Sequence, residues 1–207
     1  IWLEVKESKF IILSMNDSFN YKGILLVGVK NLILEHNIFI NMQCNNMSFS
    51  HMHGGVLISG SSSYNFVGND YKLNIWNCSF YNCSCVNGGS LSIISINQII
   101  VDNCSFQDSS SILNGGSLLI VSVSDAKISN SDIKNSIGNE GGAIYLFNSI
   151  KILIYKITID NVLSRKNGAL FIKNIKLCIL NLIYSNKTVS LMNAGFIFSS
   201  ANLIFLN

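Results

Sequence analysis

Glycines recurring at a nearly constant step set the terms on which this chain can fold. Taking the second residue of each glycine pair or its equivalent, Gly23, Gly55, Gly89, Gly116, Gly142, Gly168 and Ala194 follow one another at steps of 32, 34, 27, 26, 26 and 26 residues. Self-similarity at such a period marks a solenoid rather than a globule of unlike elements. After each anchor comes a small residue and then an apolar one, which gives the column Leu25, Leu57, Leu91, Leu118, Ile144, Leu170 and Phe196. Two residues on stand Val27, Ser59, Ile93, Ile120, Leu146, Ile172 and Phe198. A spacing of two is the strand period, so each anchor is expected to open a strand whose alternate side chains enter a core.

A second block repeats with the first. It runs Leu73, Ile75, Asn77, Cys78, Phe80, Asn82, then Ile99, Val101, Asn103, Cys104, Phe106, Asp108, and it recurs at Ala126 and Ile152. The apolar parity flips at the first Asn, and a one-residue slip would expose the next strand's apolar set unless the backbone bends there. The column His36, Asn77, Asn103, Asn130, Lys156, Asn181 is therefore predicted to be a corner, and Asn suits the left-handed backbone a corner needs. A second polar column, Asn41, Asn82, Asp108, Asn135, Asn161 and Asn186, ends the third strand before a loop returns to the glycines. Three short strands and three bends per repeat leave no room for helical crossovers, so the strands must stack coil upon coil.

The expected fold is all-β: a right-handed three-sheet parallel β-helix, a solenoid of about 26 residues per rung and about seven rungs, uncapped at both ends. Residues 1–207 read as one segment, a window of a longer solenoid. A single rung cannot bury its own apolar face, so neighbours must supply it. Like residues then form ladders, including Asn ladders whose amides bond to the coil above and below.

Composition narrows the function. The charged share is 12%, the apolar share 49% and the net charge +3, which argues against disorder and against a polyelectrolyte nucleic-acid binder. No apolar run reaches the length of a membrane helix. The six cysteines, at 44, 78, 83, 85, 104 and 178, form no CxxC pair, so neither a metal nor another cofactor is expected. Cys78 and Cys104 fall in one inward column and read as a reduced buried ladder. Cys44, with Cys85 or with Cys83, is a candidate disulfide in freer loops, and free thiols are the alternative. Six Asn-x-Ser/Thr sequons begin at Asn16, Asn46, Asn77, Asn82, Asn103 and Asn186, all candidate glycosylation sites. Asn16, Asn46 and Asn186 are favoured, because Asn77 and Asn103 sit in the corner ladder. His51 and His53 lie in the Met42 to His53 insertion with Cys44, but no fourth ligand is evident, so they read as loop histidines.

A polysaccharide-cleaving site would need carboxylates brought together by the rung step. Asp102 instead falls beside Ile128 or Ser129, Asp132 beside Thr158 and Asp160 beside Lys134, and Arg165 is the only arginine. No catalytic residue is assigned. Two surfaces remain as contact candidates. One is the polar insertion from Ser59 to Tyr71. The other is an outward stripe of Tyr145 and Phe171, continued by Leu119 and Ile197, fit to stack on sugars or pack on a partner.

The run Gly141-Gly142-Ala143-Ile144, with Asn-Gly-Gly-Ser-Leu at Asn87 and at Asn114, resembles the GGA[ILV] repeats of polymorphic outer-membrane proteins and similar protist surface proteins. The resemblance extends along essentially the whole chain. It implies a pectate-lyase-like right-handed β-helix within a large extracellular or cell-surface protein, often an adhesin or passenger domain without catalysis. The function expected is a structural segment of a surface or filament-forming glycoprotein that stacks on protein neighbours. The alternatives are an adhesin or carbohydrate-binding β-helix, and, third, a polysaccharide lyase or hydrolase whose site lies elsewhere.

Overall fold

The computed structural model describes residues 2–11, 21–44, 54–60, 71–192 and 195–206. The described chain winds as an all-β parallel solenoid of about 26 residues per turn and about six turns. In the first ladder Ile24–Val27, Val56–Ser59, Leu91–Ile94 and Leu118–Val121 stack in parallel register, and the column passes on to Ile144, Leu170 and Phe196. Trp2–Lys6, Asn31–Glu35, Lys72–Trp76 and Gln98–Asp102 begin the second, continued by Asp125 and Lys151. Lys9–Ile11, Ile38–Ile40, Ser79–Tyr81 and Ser105–Gln107 begin the third.

The segment after the second polar column is more than a returning loop. Gln43–Cys44, Ser84–Cys85 and Ser110–Ser111 add a short fourth ladder, extended by Ile137, Leu163 and Val189. One pairing runs the other way, Tyr21–Lys22 lying antiparallel to Gln43–Cys44.

Left-handed backbone marks the corners. It occurs at His36, Asn77, Asn103, Asn130 and Lys156, and again at Asn41, Asn82, Asp108, Asn135 and Asn161. In the sixth repeat, the one that opens at Gly168, the corners are at Leu182 (φ 50°) and Lys187 (φ 47°), so Asn181 and Asn186 each stand one residue before the corner assigned to them. The reason is register: Tyr155 pairs with Asn181 and Asp160 with Asn186, and a 26-residue step conserved by the ladder overrides the local preference of Asn. A branched Leu in this conformation costs more than Asn. Leu182→Asn is accordingly expected to raise stability by about 1 kcal/mol, read as a higher denaturation midpoint at unchanged slope.

A second register difference concerns the first ladder. Ile24 pairs with Val56 and Val56 with Leu91, so the inward residues of the early turns are Ile24, Leu26, Val56 and Ile58. Leu25 and Val27, expected inside, are 56% and 49% exposed. In those turns Gly55 takes the place that Ser90, Ser117 and Ala143 fill later, so counting from the glycine shifts the parity by one. Glycine is needed where coils touch most closely: a Cβ on Gly116 would come within 1.9 Å of the Gly142 carbonyl oxygen.

The core is a single continuous column of buried aliphatics and sulfur, with Phe39, Phe80 and Phe106 stacked at centroid separations of 4.7 and 4.9 Å. Tyr145 and Phe171 were expected on an open outward stripe. They are only 9% and 6% exposed, and with Leu57, Ile94, Leu119 and Val121 they form a second buried apolar cluster on the outer side of the first ladder. The side chain of Ile197 is outside the described set.

Candidate functional site

Corner residues throw their side chains outward, and the 26-residue step sets each above its counterpart. The asparagines use this to bond between turns. Asn82 Nδ2 donates to Asn41 Oδ1 at 2.7 Å, Asn161 Nδ2 to Asn135 Oδ1 at 2.7 Å, and Asn103 Nδ2 to Asn77 Oδ1. Asn77 Nδ2 approaches His36 Nε2 at 3.4 Å. Most of these amides donate toward the preceding turn, so a carboxylate can replace an acceptor but has no hydrogen to pass on.

Acids occupy that acceptor role. Asp102 Oδ1 accepts from Ser129 Oγ at 2.6 Å and from Asn130 Nδ2 at 2.8 Å. Asp108 Oδ1 accepts from Asn135 Nδ2 at 2.8 Å, and Asp160 Oδ1 from Asn186 Nδ2 at 3.0 Å. Sequence reasoning placed Asp108 in the second polar column and found no second acid at the rung step from Asp102 or Asp160, without naming what any of the three bonds. The signal that would have found them is their rung spacing to an Asn. Asn181, displaced from the corner, has a buried Oδ1 with no hydrogen-bond partner among the described residues. Inside the coil, serines make a second set of contacts: Ser90 Oγ lies 2.5 Å from Ser109 Oγ, and Ser117 Oγ lies 2.9 Å from Ser136 Oγ. Ser136 Oγ also donates to the Gly142 carbonyl oxygen at 2.8 Å, so these buried hydroxyls are paired.

The sequons divide accordingly. Asn77, Asn82, Asn103 and Asn186 all engage the very nitrogen that would carry a glycan. Asn16 and Asn46 lie outside the described residues, as do His51, His53 and residues 61–70 of the polar insertion.

Cys44 and Cys85 are disulfide-bonded across adjacent turns, with Cα atoms 4.7 Å apart, and pack with Val86 and Leu113. The bridge spans 41 residues. Constraining a loop of that length in the unfolded chain is worth about 4 kcal/mol. Cys85→Ser is expected to lower stability by about that amount, and reduction of the wild type should reproduce the loss without lowering the variant further.

Cys78, Cys83, Cys104 and Cys178 are free and buried. Cys78 Sγ donates to the Trp76 carbonyl and Cys104 Sγ to the Asp102 carbonyl, each at 3.3 Å. The neighbouring Cys78 thiol, together with burial, pushes Cys104 up. Burial pushes Cys83 up to about 11 and Cys178 up to about 12. Between about pH 9 and 11 the unfolded chain releases protons that these folded thiols keep, so stability falls as pH rises through that window. Replacing both with Ala should flatten the decline, measured as the slope of unfolding free energy against pH.

Among the described residues no three His, Cys, Asp or Glu side chains are grouped to hold a metal ion, and no helix is long and apolar enough to cross a membrane. The described corner side chains bond one turn to the next. No known family matches the chain, nor does any curated protein or solved structure.

Proposed function

We propose that this chain is a rigid, non-catalytic structural segment of an extracellular surface or filament-forming glycoprotein, of the pectate-lyase-like class with GGA[ILV]-type repeats, stacking on protein neighbours. The observation that carries this reading is the use of outward polar groups as ties between turns. Asn41 with Asn82, Asn77 with Asn103, and Asp102 with Ser129 and Asn130 all spend their hydrogen bonds on the neighbouring coil. Laddered side chains of this kind stiffen a stack. The Cys44–Cys85 bridge supports an oxidising compartment, because disulfides persist in secreted and surface proteins and are rare in reducing ones.

The test is peptide mass spectrometry on protein from its native source, alkylated without reductant. The expected result is a joined Cys44–Cys85 peptide together with glycan on Asn16 or Asn46, the two favoured sequons left once Asn186 is tied to Asp160. Free, alkylated Cys44 and Cys85 with no glycan on either would overturn the extracellular reading.

A further inference from the structure

The edge where the first ladder turns into the second is a lysine track running up the solenoid, and we infer that it binds a linear acidic polysaccharide. Lys30 immediately precedes the second-ladder strand Asn31–Glu35, Lys72 and Lys151 stand at its first position in later turns, and Lys176 precedes Leu177, which pairs with Lys151. Lys173, which pairs with Phe147 at the end of the first ladder, and Lys127, two residues into the second, flank the track. All six are exposed. The two turns without a lysine at the edge itself place Asn97 and Gln98, then Ser124 and Asp125, there, so each of the six turns from Lys30 to Lys176 has a side-chain donor at the edge and one of them also carries an acid.

The track is concentrated charge rather than an average surface. Of the 14 basic residues four lie on this edge and two more flank it, whereas the Asn corners mix Lys156, Lys134 and Lys187 with Asp102, Asp108 and Asp160. Two described acids share its columns. Asp125 pairs with Lys151 at 3.5 Å, and Glu4 is taken by Lys6 at 2.9 Å, outside the track. The other five lysines make no ion pair among the described residues. Lys173 instead covers the Phe147 ring at 5.9 Å.

Geometry selects the occupant. Turns repeat at about 4.8 Å, so five steps from Lys30 to Lys176 make a straight line of about 24 Å. That repeat is close to the length of one pyranose unit, which lets carboxylates or sulfates on neighbouring sugars meet Lys30 and Lys72 on one pair of adjacent turns and Lys151 and Lys176 on another, with two lysine-free turns between. A single-stranded nucleic acid would require rings to stack its bases. Here Tyr71 packs against the core and Phe147 lies beneath Lys173. This inference is independent of the scaffold reading, since a rod that binds no glycan would still be a rod.

Binding is measured with heparin as the sulfated probe, polygalacturonate as the carboxylated one, dextran as the neutral one and a single-stranded oligonucleotide of matched charge. The expected result is salt-sensitive binding to heparin, polygalacturonate or both, and none to dextran. The triple variant Lys72→Gln, Lys151→Gln, Lys176→Gln should weaken it at least about tenfold and reduce its salt dependence. A control triple, Lys134→Gln, Lys156→Gln, Lys187→Gln, should stay within about twofold. Lys72→Gln and Lys176→Gln singly carry the same test should the triple melt early. No binding to either acidic polymer, equal losses from the two triples, or tighter binding of the oligonucleotide would each overturn the inference.

Discussion

Replacing Ile154 by Asp is expected to unfold several turns together and to lower stability by about 5 kcal/mol or more. Ile154 is fully buried, with Ile128 below it and Leu180 above in the same column. The substitution removes aliphatic contact with both neighbours and puts a carboxyl group where no described polar side chain belongs to the surrounding column. Either the group ionises without a partner or it is forced to stay protonated, and both are costly. In a solenoid each turn is held by the next, so the damage spreads along the axis rather than staying local. Leu153→Asp is the matching control. Leu153 faces outward and half-buried on the same strand, and the same change there should cost about 1 kcal/mol or less. Equal denaturation midpoints for the two variants would refute the assignment of inward and outward faces.

Phe80→Ala is expected to cost about 5 kcal/mol. Phe80 sits between Phe39 and Phe106 with interplanar angles of 12° and 6°, so truncation empties the centre of the coil and breaks two stacked pairs at once. Each pair adds roughly 0.5–1.5 kcal/mol beyond the area buried. The flanking rings are fixed by their own strands, Ile38–Ile40 and Ser105–Gln107, and cannot close a gap set by the spacing of turns. A double-mutant cycle of Phe80→Ala with Phe106→Leu should show coupling. Strict additivity would mean the rings pack as independent aliphatics do.

The features read correctly from sequence are those imposed by local sterics and repeated at each turn. Alternation along Leu73–Ile75 and Ile99–Val101 can only be a strand with one buried face, and Asn at 77, 103 and 130 is where an L-residue most cheaply turns left-handed. Readings failed where a position is decided by the turn next to it. Leu25 and Leu57 were placed inward because glycines were counted, yet register against Ser92 turns both outward. Asn181 looked like a corner by chemistry, and the ladder gave the corner to Leu182. Tyr145 and Phe171 looked like a platform because outward on a strand usually means exposed, but outward on the first ladder is a second buried cluster.

The candidate surface divides the same way. The Asn ladders were legible because they repeat at the rung step. Asp102, Asp108 and Asp160 as their acceptors were not, since an acid in a polar column carries no sign of what it bonds. The lysine track was invisible for a related reason: Lys30, Lys72, Lys151 and Lys176 occur at irregular separations, and two long insertions lie between the turns they mark.

The amino-acid sequence alone determined that this chain is a coil of short strands with a step near 26 residues, because strand period and backbone handedness act within a few residues of each position. The tertiary structure decided which residue of each turn lies over which. That choice belongs to register, a property of two turns in contact, and it assigned the corners at Leu182 and Lys187, the bridge from Cys44 to Cys85 and the line of lysines.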